Sequence, residues 1–243
     1  MAGVENPVVL MLHGFLGSPK NWRACAEAMA VRRRVLVPEL PFFGGHPPPD
    51  PIEHFLKFLV ALIAAEQAGR VVVMGNSFGG QLAVHLALRE PERVVGLVLT
   101  GSGGLYQPKS TRQFHRHRGR EWLRGQIREI FFDESFVTDE LVDELMAISN
   151  DLKKLKEILR LAKNTRKVSV RELLPRIHCP VLLVWGADDK ITPPSAAREF
   201  QKLLPDAELH FISQCGHAPM LERPVEFTRL VEDFLRRVSA RKA

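Results

Sequence analysis

The chain has 243 residues, 45% of them hydrophobic and 26% charged, a composition typical of a soluble globular protein with one large domain or two small ones. Its formal net charge is +6, but no nucleic-acid-binding motif accompanies the basic residues, so we predict no nucleic-acid partner. No apolar run reaches the roughly 18 residues that span a bilayer, and the N-terminus does not resemble a signal peptide. We therefore expect a cytoplasmic protein without a membrane partner.

Six short runs rich in Val, Leu and Ile predict β-strands, at residues 7–12, 34–38, 70–75, 93–100, 180–186 and 207–212. Continuous apolar runs, in contrast to alternating ones, indicate strands that are buried on both faces of a parallel sheet. Helical patterns lie between them, at residues 19–30, 52–68, 78–90, 194–204 and 224–238. Alternation of strands and helices predicts an α/β fold with a doubly wound, mostly parallel sheet of about six strands.

Residues 101–179 interrupt this alternation, because they contain no good strand and several amphipathic helical segments, such as "TDELVDELMAISN" and "LKKLKEILRLAK". The sheet pattern resumes directly at Pro180. We therefore interpret residues 101–179 as a helical cap inserted into a core formed by residues 1–100 and 180–243.

The segment "RVVVMGNSFGGQLAVHLAL", residues 70–88, passes from a strand to a helix through a turn with Ser77 at its tip. Gly75 and Gly79 flank the serine at the two positions where such a crowded turn needs small residues. A serine placed at a helix N-terminus is close to free N–H groups that stabilise a developing anion. The pattern predicts a nucleophilic serine, whereas a purely structural turn is the alternative.

A serine hydroxyl near neutral pH needs a base, and the base needs an acid that orients it. Among nine histidines, His217 follows the last predicted strand, where open α/β sheets place their sites, and it is our predicted base. Asp188 and Asp189 both follow the strand at 180–186, so either can supply the acid.

These motifs together resemble the α/β-hydrolase superfamily over essentially the whole chain. The resemblance is carried by "LHGFLGS", "GNSFGG", "WGADDKITP" and "CGHAPMLERPVEF", in the order serine, aspartate, histidine. It implies that Asp189 is the acid of a Ser77–His217–Asp189 triad. It also implies an oxyanion hole formed by the backbone N–H groups of Phe15 and Phe78.

Two departures from the superfamily pattern are visible. The first strand begins so early that the usual N-terminal antiparallel strand pair is expected to be absent, which leaves about six strands where the family usually has eight. The segment "PELPFFGGHPPP" replaces the commoner loop after the second strand and is expected to affect the pocket without affecting the triad.

Two subfamilies of the superfamily have sequence segments similar to segments of this chain. "LHGFLGS" is similar to the menaquinone-pathway synthase, but Gln81 stands where those enzymes usually have an arginine. "CGHAPMLERPVEFTRLVEDFL" is similar to the hydrolases that cleave carbon–carbon bonds in ring-fission products, and to ordinary esterases and lactonases.

Several residues are candidates for lining the substrate pocket, namely Phe42, Trp122 and Gln81. The segment 109–129 is rich in basic residues that either bind an acidic substrate or form a solvated helix face: Lys109, Arg112, His115, Arg116, His117, Arg118, Arg120, Arg124 and Arg128.

Cys25, Cys179 and Cys215 are odd in number and widely spaced, which fits neither a disulfide framework nor a zinc site. We predict reduced thiols, no metal and no organic cofactor.

Our functional prediction is a serine hydrolase that acts on a small carboxylic ester or related acyl substrate through a Ser-His-Asp triad and an acyl-enzyme. The alternatives are a carbon–carbon bond hydrolase of a ring-fission dienol acid, a menaquinone-pathway-like elimination, and a non-catalytic small-molecule-binding protein of the same fold. The oligomeric state is left open.

Overall fold

A computed structural model describes residues 6–43, 50–105 and 119–240 of the chain. Six parallel strands form one sheet in the order β2-β1-β3-β4-β5-β6. The strands are β1 (Val8–Leu12), β2 (Val35–Leu36), β3 (Val71–Asn76), β4 (Val94–Thr100), β5 (Val181–Gly186) and β6 (Ala207–Ile212). This arrangement confirms the predicted fold class.

The central strands are apolar except where β3 ends at Asn76 and β4 at Thr100, because helices cover both faces of the sheet. All residues of β1, β3 and β5 are buried, whereas most residues of the edge strand β6 are partly exposed. The predicted strand at 34–38 is reduced to the two-residue β2, which pairs only with β1. Within the described residues no antiparallel pair precedes β1.

Six helices belong to the layers that cover the sheet: α1 (Arg23–Ala30), α2 (Pro51–Ala65), α3 (Phe78–Arg89), α7 (Pro194–Leu203), α8 (Pro219–Glu222) and α9 (Pro224–Ala240). One apolar cluster packs α2, α3 and α7 on one face of the sheet, and a second cluster packs α1 and α9 on the other. The sequence patterns do not predict the short helix α8. This helix begins at Pro219 and ends two residues before Pro224, the first residue of α9. No helix of the described residues is long and apolar enough to cross a membrane.

Among the described residues, three α-helices lie between β4 and β5: α4 (Arg120–Arg128), α5 (Asp139–Asn150) and α6 (Leu152–Thr165). We call them the inserted helices. Thr138 caps α5 and Asp151 caps α6, because their side chains accept hydrogen bonds from backbone N–H groups of the first turn. The apolar side chains of α6 join the α2/α3 cluster, while Ile127 of α4 and Val142 of α5 join the α1/α9 cluster.

The carboxyl ends of parallel strands meet at one edge of the sheet. Here β1, β3, β4 and β5 end next to His13, Ser77, Gly101 and Ala187, and the inserted helices follow β4 from this same edge. The fold therefore brings the chemically interesting residues of distant segments together at one place.

Candidate active site

Ser77 lies between β3 and α3 in a strained backbone conformation, with φ 55° and ψ −116°. A non-glycine residue rarely adopts this conformation, and it persists only where surrounding packing enforces it. The packing here is very close: a Cβ atom added to Gly79 would lie 2.1 Å from the carbonyl oxygen of Leu12, and one added to Gly75 would lie 2.3 Å from that of Gly79. The two glycines therefore permit the sharp turn that carries Ser77, as the sequence predicts.

Backbone hydrogen bonds fix the turn from both sides. The N–H of Ser77 donates to the carbonyl of Thr100 on β4 at 3.1 Å. The carbonyl of Ser77 accepts from the N–H groups of Gly80, Gln81 and Gly103, at 3.1, 3.2 and 2.9 Å. The serine is thus locked to the neighbouring strand as well as to its own helix.

Asp189 and His217 form a buried pair, with 2.9 Å between Oδ2 of the aspartate and Nδ1 of the histidine. Asp189 is 3% exposed and His217 is 7% exposed. An aspartate that accepts from Nδ1–H leaves Nε2 of the imidazole with its lone pair, which is the tautomer that a general base needs. Asp188, the alternative acid, is exposed and lies outside this pair.

The turn after β5 holds the aspartate in place. Oδ1 of Asp189 accepts from the N–H groups of Ile191 and Thr192, at 2.8 and 2.9 Å, and Oδ2 accepts from the hydroxyl of Thr192 at 2.9 Å. The Thr192 hydroxyl is also 3.2 Å from Nδ1 of His217. These contacts hold the carboxylate in the orientation that the histidine requires.

His217 is held against the serine turn by two further contacts. The side-chain amide of Asn76, the residue before Ser77, donates to the carbonyl of His217 at 3.0 Å and to that of Thr100 at 3.2 Å. The imidazole packs on Gly101, where an added Cβ would lie 2.7 Å from Nδ1 and from Cε1 of the ring. Ser77 and His217 line one cavity together.

The expected oxyanion residues, Phe15 and Phe78, also line this cavity, and their rings stack with centroids 4.4 Å apart. Gly14 brings their two segments together, since a Cβ added to it would lie 2.9 Å from Cβ of Ser77. Within the described residues neither the Phe15 N–H nor the Phe78 N–H has a hydrogen-bond partner, so both are available to a substrate oxygen.

His13 anchors the loop that contains Gly14 and Phe15. Its Nδ1 donates to the carbonyl of Gly14 at 3.0 Å, and its Nε2 accepts from the N–H of Leu40 at 3.1 Å. Burial lowers the pKa of the His13 imidazole, so the neutral form is favoured. His13 therefore has a structural function and is not a second base.

The cavity has a volume of about 350 Å³. Most of its wall is apolar, with contributions from the inserted helices and from α8: Leu123, Ile127, Ile130, Phe131, Leu141, Leu145, Met220 and Leu221. Apart from His217, Arg166 is the one ionisable side chain among the described lining residues. Burial lowers the pKa of its guanidinium, which nevertheless stays charged near neutral pH.

The three predicted pocket residues have different locations. Gln81 lines the cavity, but its amide nitrogen donates to the carbonyls of Thr165 and Val168, at 3.3 and 2.8 Å, and so fixes the end of α6. Phe42 does not line the cavity, because it packs behind Phe15 and Phe78 against Phe55.

Trp122 does not line the cavity either. On helix α4 the described residues that line the cavity are Leu123, Gln126 and Ile127. Neither Phe42 nor Trp122 is thus among the described residues that line this cavity, and a contact of either with substrate stays a prediction.

The basic residues of α4 form ion pairs within the inserted helices. Arg120 contacts Asp139 and Asp143, Arg124 contacts Asp139, and the guanidinium of Arg128 is 3.5 Å from Glu134. These pairs support the solvated-face interpretation over substrate binding. The other basic residues of this segment, at 109–118, lie outside the described residues.

The three cysteines are free, as the sequence predicts. Burial raises the pKa of Cys25 and of Cys179 to about 11. Burial and the nearby Glu222 carboxylate raise the pKa of Cys215, two residues before His217, far above its usual range. A thiol in this state is a poor nucleophile, which leaves Ser77 as the candidate nucleophile beside the histidine.

Sequence reasoning missed four residues that shape the site: Asn76, Thr192, Arg166 and Glu222. Each of them acts on groups that are distant along the chain or in an irregular turn, so no local periodicity marks it. Of the four, only Asn76 could have been found from the sequence, because it directly precedes Ser77 in the nucleophile motif. Among the described residues no group of His, Cys, Asp and Glu side chains is arranged to hold a metal ion.

Comparison with known proteins places this geometry in a family. The model of the alpha/beta hydrolase family matches residues 9–230. A 2-hydroxy-6-oxononadienedioate/2-hydroxy-6-oxononatrienedioate hydrolase from Cupriavidus pinatubonensis is 30% identical, over 96% of this chain and 88% of the relative. A 2-hydroxy-6-oxo-6-phenylhexa-2,4-dienoate hydrolase from Comamonas testosteroni is 33% identical, over 96% and 88%.

A solved structure gives the same result. The meta-cleavage product hydrolase from Pseudomonas fluorescens IP01 is 26% identical and superposes with a TM-score of 0.82, covering 96% of this chain and 92% of that one. The family match, the full-length relatives and the shared fold agree with one another. This chain belongs to the alpha/beta hydrolase family and is a hydrolase.

Proposed function

We propose that the chain hydrolyses a carbon–carbon bond in a 2-hydroxy-6-oxo-dienoic acid, with Ser77 as nucleophile, His217 as base and Asp189 as the orienting acid. The observation that carries this proposal is that Ser77, His217 and Arg166 line a single cavity with otherwise mostly apolar walls. The arrangement fits a substrate with one carboxylate, a reacting ketone and an apolar remainder.

The polar and apolar parts of the cavity wall belong to different layers of the fold. Thr165 and Arg166 lie at the end of α6, which packs with α2 and α3. The apolar wall comes from α4 and α5, which pack with the α1/α9 cluster. A substrate carboxylate would therefore bind beside Arg166, and the acyl group would extend toward α4 and α5.

The proposed reaction begins with the substrate as a dienol. The proton of the 2-hydroxyl moves to C5, which gives a 2-oxo acid with a saturated carbon next to the C6 ketone. His217 takes the proton of Ser77 as the serine oxygen adds to C6, and the resulting oxyanion accepts hydrogen bonds from the Phe15 and Phe78 N–H groups.

The C5–C6 bond then breaks. Its electron pair moves through the conjugated system to the 2-oxo oxygen, which takes up the proton held by His217, while the acyl group stays on Ser77. Arg166 would stabilise the charge that develops on the 2-oxo acid. Water, deprotonated by His217, adds to the acyl-enzyme and releases the second carboxylic acid, so the same base acts in both halves.

The relatives support this reaction over ester hydrolysis, because the names of the 30% and 33% identical proteins specify dienoate substrates. Ester hydrolysis is the second candidate, since Ser77 and His217 would act on an ester carbonyl in the same order. The menaquinone-type elimination is disfavoured, because the amide of Gln81 occupies the expected arginine position and is bound to backbone carbonyls.

The test compares two substrates, 2-hydroxy-6-oxo-6-phenylhexa-2,4-dienoate and the neutral ester 4-nitrophenyl acetate. We expect the protein to hydrolyse the dienoate, which is measured as the loss of the dienoate's absorbance. In Ser77→Ala the rate of this reaction should fall at least about a thousandfold. Arg166→Gln should lower kcat/KM about tenfold or more for the dienoate and less than about threefold for the ester. Arg160→Gln, an exposed position on the same helix, is the matched control.

Two other outcomes would contradict the proposal, and each would support a different alternative. Turnover of esters without the dienoate would establish the second candidate. Binding of the dienoate that raises the melting temperature, without turnover of either compound and without labelling of Ser77 by a fluorophosphonate, would establish a non-catalytic binding protein.

A further inference from the structure

Glu222 is a buried carboxylate at the end of helix α8, with 4% of its surface exposed. Within the described residues it has no ion-pair partner, although an unpaired buried charge is costly unless hydrogen bonds compensate for it. The compensation comes from the backbone: Oε2 accepts from the N–H groups of Phe132 and Asp133, at 2.7 and 3.1 Å, and Oε1 accepts from the N–H of Gly216 at 2.7 Å.

The two oxygens therefore bind two different chain segments. Gly216 immediately precedes His217, whereas residues 130–133 follow helix α4 of the inserted helices. A third link connects the same segments, because the N–H of His217 donates to the carbonyl of Ile130 at 2.7 Å. The backbones are in direct contact, since a Cβ added to Gly216 would lie 2.4 Å from the Ile130 oxygen and 2.9 Å from the Phe132 nitrogen.

Each of the joined segments has its own function in the site. Ile130 and Phe131 form part of the cavity wall, and His217 is the proposed base. We infer that Glu222 is a positioning residue that holds the imidazole-bearing loop and the substrate-facing wall of the inserted helices as one unit. This inference rests on the proposed role of His217, and it adds a residue that never touches the substrate.

A carboxylate suits this function because both of its oxygens accept hydrogen bonds. The substitution Glu222→Gln keeps the shape but turns an –NH₂ group toward backbone N–H donors on one side. One of the two segments then loses its hydrogen-bond acceptor. As a result, the loop that bears His217 separates from the wall segment that contains Ile130 and Phe131. We expect kcat to fall about 10- to 100-fold while KM changes less than about threefold.

The first experiment measures kcat and KM of Glu222→Gln. The rate is divided by the concentration of active sites, which is the amount of protein that a fluorophosphonate has labelled when labelling is complete. Counting labelled sites removes unfolded molecules from the rate, so a merely structural loss of folded protein leaves kcat unchanged. The rate of labelling itself should fall with kcat, because it also needs His217. Glu226→Gln, an exposed position in the next helix, is the matched control and should keep wild-type values.

The second experiment starts from the wild-type protein. Hydrogen exchange in the wild-type protein should give the Gly216, Phe132 and Asp133 amides protection factors that agree within about tenfold, because one opening event exposes all three. In Glu222→Gln their protection should fall together, while that of the β3 and β5 amides stays unchanged.

Two results would overturn the inference: unchanged kcat and labelling rate in a folded Glu222→Gln protein, or wild-type exchange in which Gly216 opens independently of Phe132 and Asp133. Failure of the proposed function looks different, because then the wild-type protein itself is not labelled. The exchange measurement remains decisive in that case and also if the variant does not fold.

Discussion

Asp189 accepts four hydrogen bonds, two on each carboxylate oxygen, and only one of them comes from His217. The other three come from Ile191 and Thr192, within three residues along the chain. The carboxylate of this proposed acid is therefore held by its own turn independently of the histidine. Asp188 is adjacent in sequence but exposed, so the turn and not the residue type distinguishes the two aspartates.

The first prediction separates these two neighbours. In Asp189→Asn the side-chain oxygen can still accept from the turn, but the new –NH₂ group faces Nδ1 and favours the tautomer with the proton on Nε2. That tautomer cannot take the proton of Ser77, so we expect kcat to fall about 10³- to 10⁴-fold. Asp188→Asn should stay within about twofold of wild type. Equal losses in both variants, measured on the same substrate, would contradict the assignment of Asp189.

At the residue scale the sequence predicts those groups whose neighbours along the chain explain them. Ser77 is marked by two glycines and a strand-to-helix change, and His217 by its place after the last strand. Asn76, Thr192 and Glu222 have their partners in backbone groups that only folding brings near. Phe42 and Trp122 were predicted from their residue type alone, which does not determine the direction in which a side chain points.

At the scale of elements, helix α3 lies unusually close to β1 because Gly79 has no side chain at the contact with Leu12. Helix α4 also contains a glycine, Gly125. Within the described residues, nothing lies within 4 Å of a Cβ added there. The same residue type therefore has a packing reason in one helix and none in the other.

The second prediction uses this pair, since each change adds one methyl group to a helix. Gly79→Ala should lower the free energy of unfolding by at least about 1–3 kcal/mol, because the methyl group meets backbone that cannot move away. Gly125→Ala should raise it by about 0.5–1 kcal/mol, because alanine loses less conformational entropy in a helix. Chemical denaturation measures both changes, and a destabilising Gly125→Ala would contradict the open environment described for α4.

The strands were predictable as elements because burial on both faces produces continuous Val and Leu runs. The two inserted helices α5 and α6 were predictable from their amphipathic period, and their observed bounds follow the quoted segments closely. Helix α8 was not, because four residues are too few for a helical period. The division of the chain into a core and a cap stays a prediction.

At the scale of the whole molecule, two side chains of the sheet layers make hydrogen bonds that hold the inserted helices. Gln81 of α3 binds the end of α6, and Glu222 of α8 binds the segment after α4. Thr165 and Arg166 at the end of α6 and Ile130 and Phe131 after α4 line the cavity, so two parts of its wall are tied to the layers that carry Ser77 and His217.

The third prediction concerns the Gln81 contact. Gln81→Leu removes the donor to the Thr165 and Val168 carbonyls and should lower the free energy of unfolding by about 1–3 kcal/mol. Gln126→Leu is the control, because Gln126 lines the same cavity but makes no side-chain hydrogen bond among the described residues. It should change stability by less than about 0.5 kcal/mol. Similar urea midpoints for the two variants would show that the α6 contact contributes nothing.

The order of strands in the sheet has a consequence for the making of this protein on the ribosome. Strands β1 to β4 leave the ribosome first and are mutual neighbours, but β5, the partner of β4, follows about 80 residues later. At about 5–20 residues per second, β4 stays an open apolar edge for about 4–16 s. An edge of this kind is a template for pairing with another chain, so the nascent protein is most in need of a chaperone while the inserted helices are being synthesised.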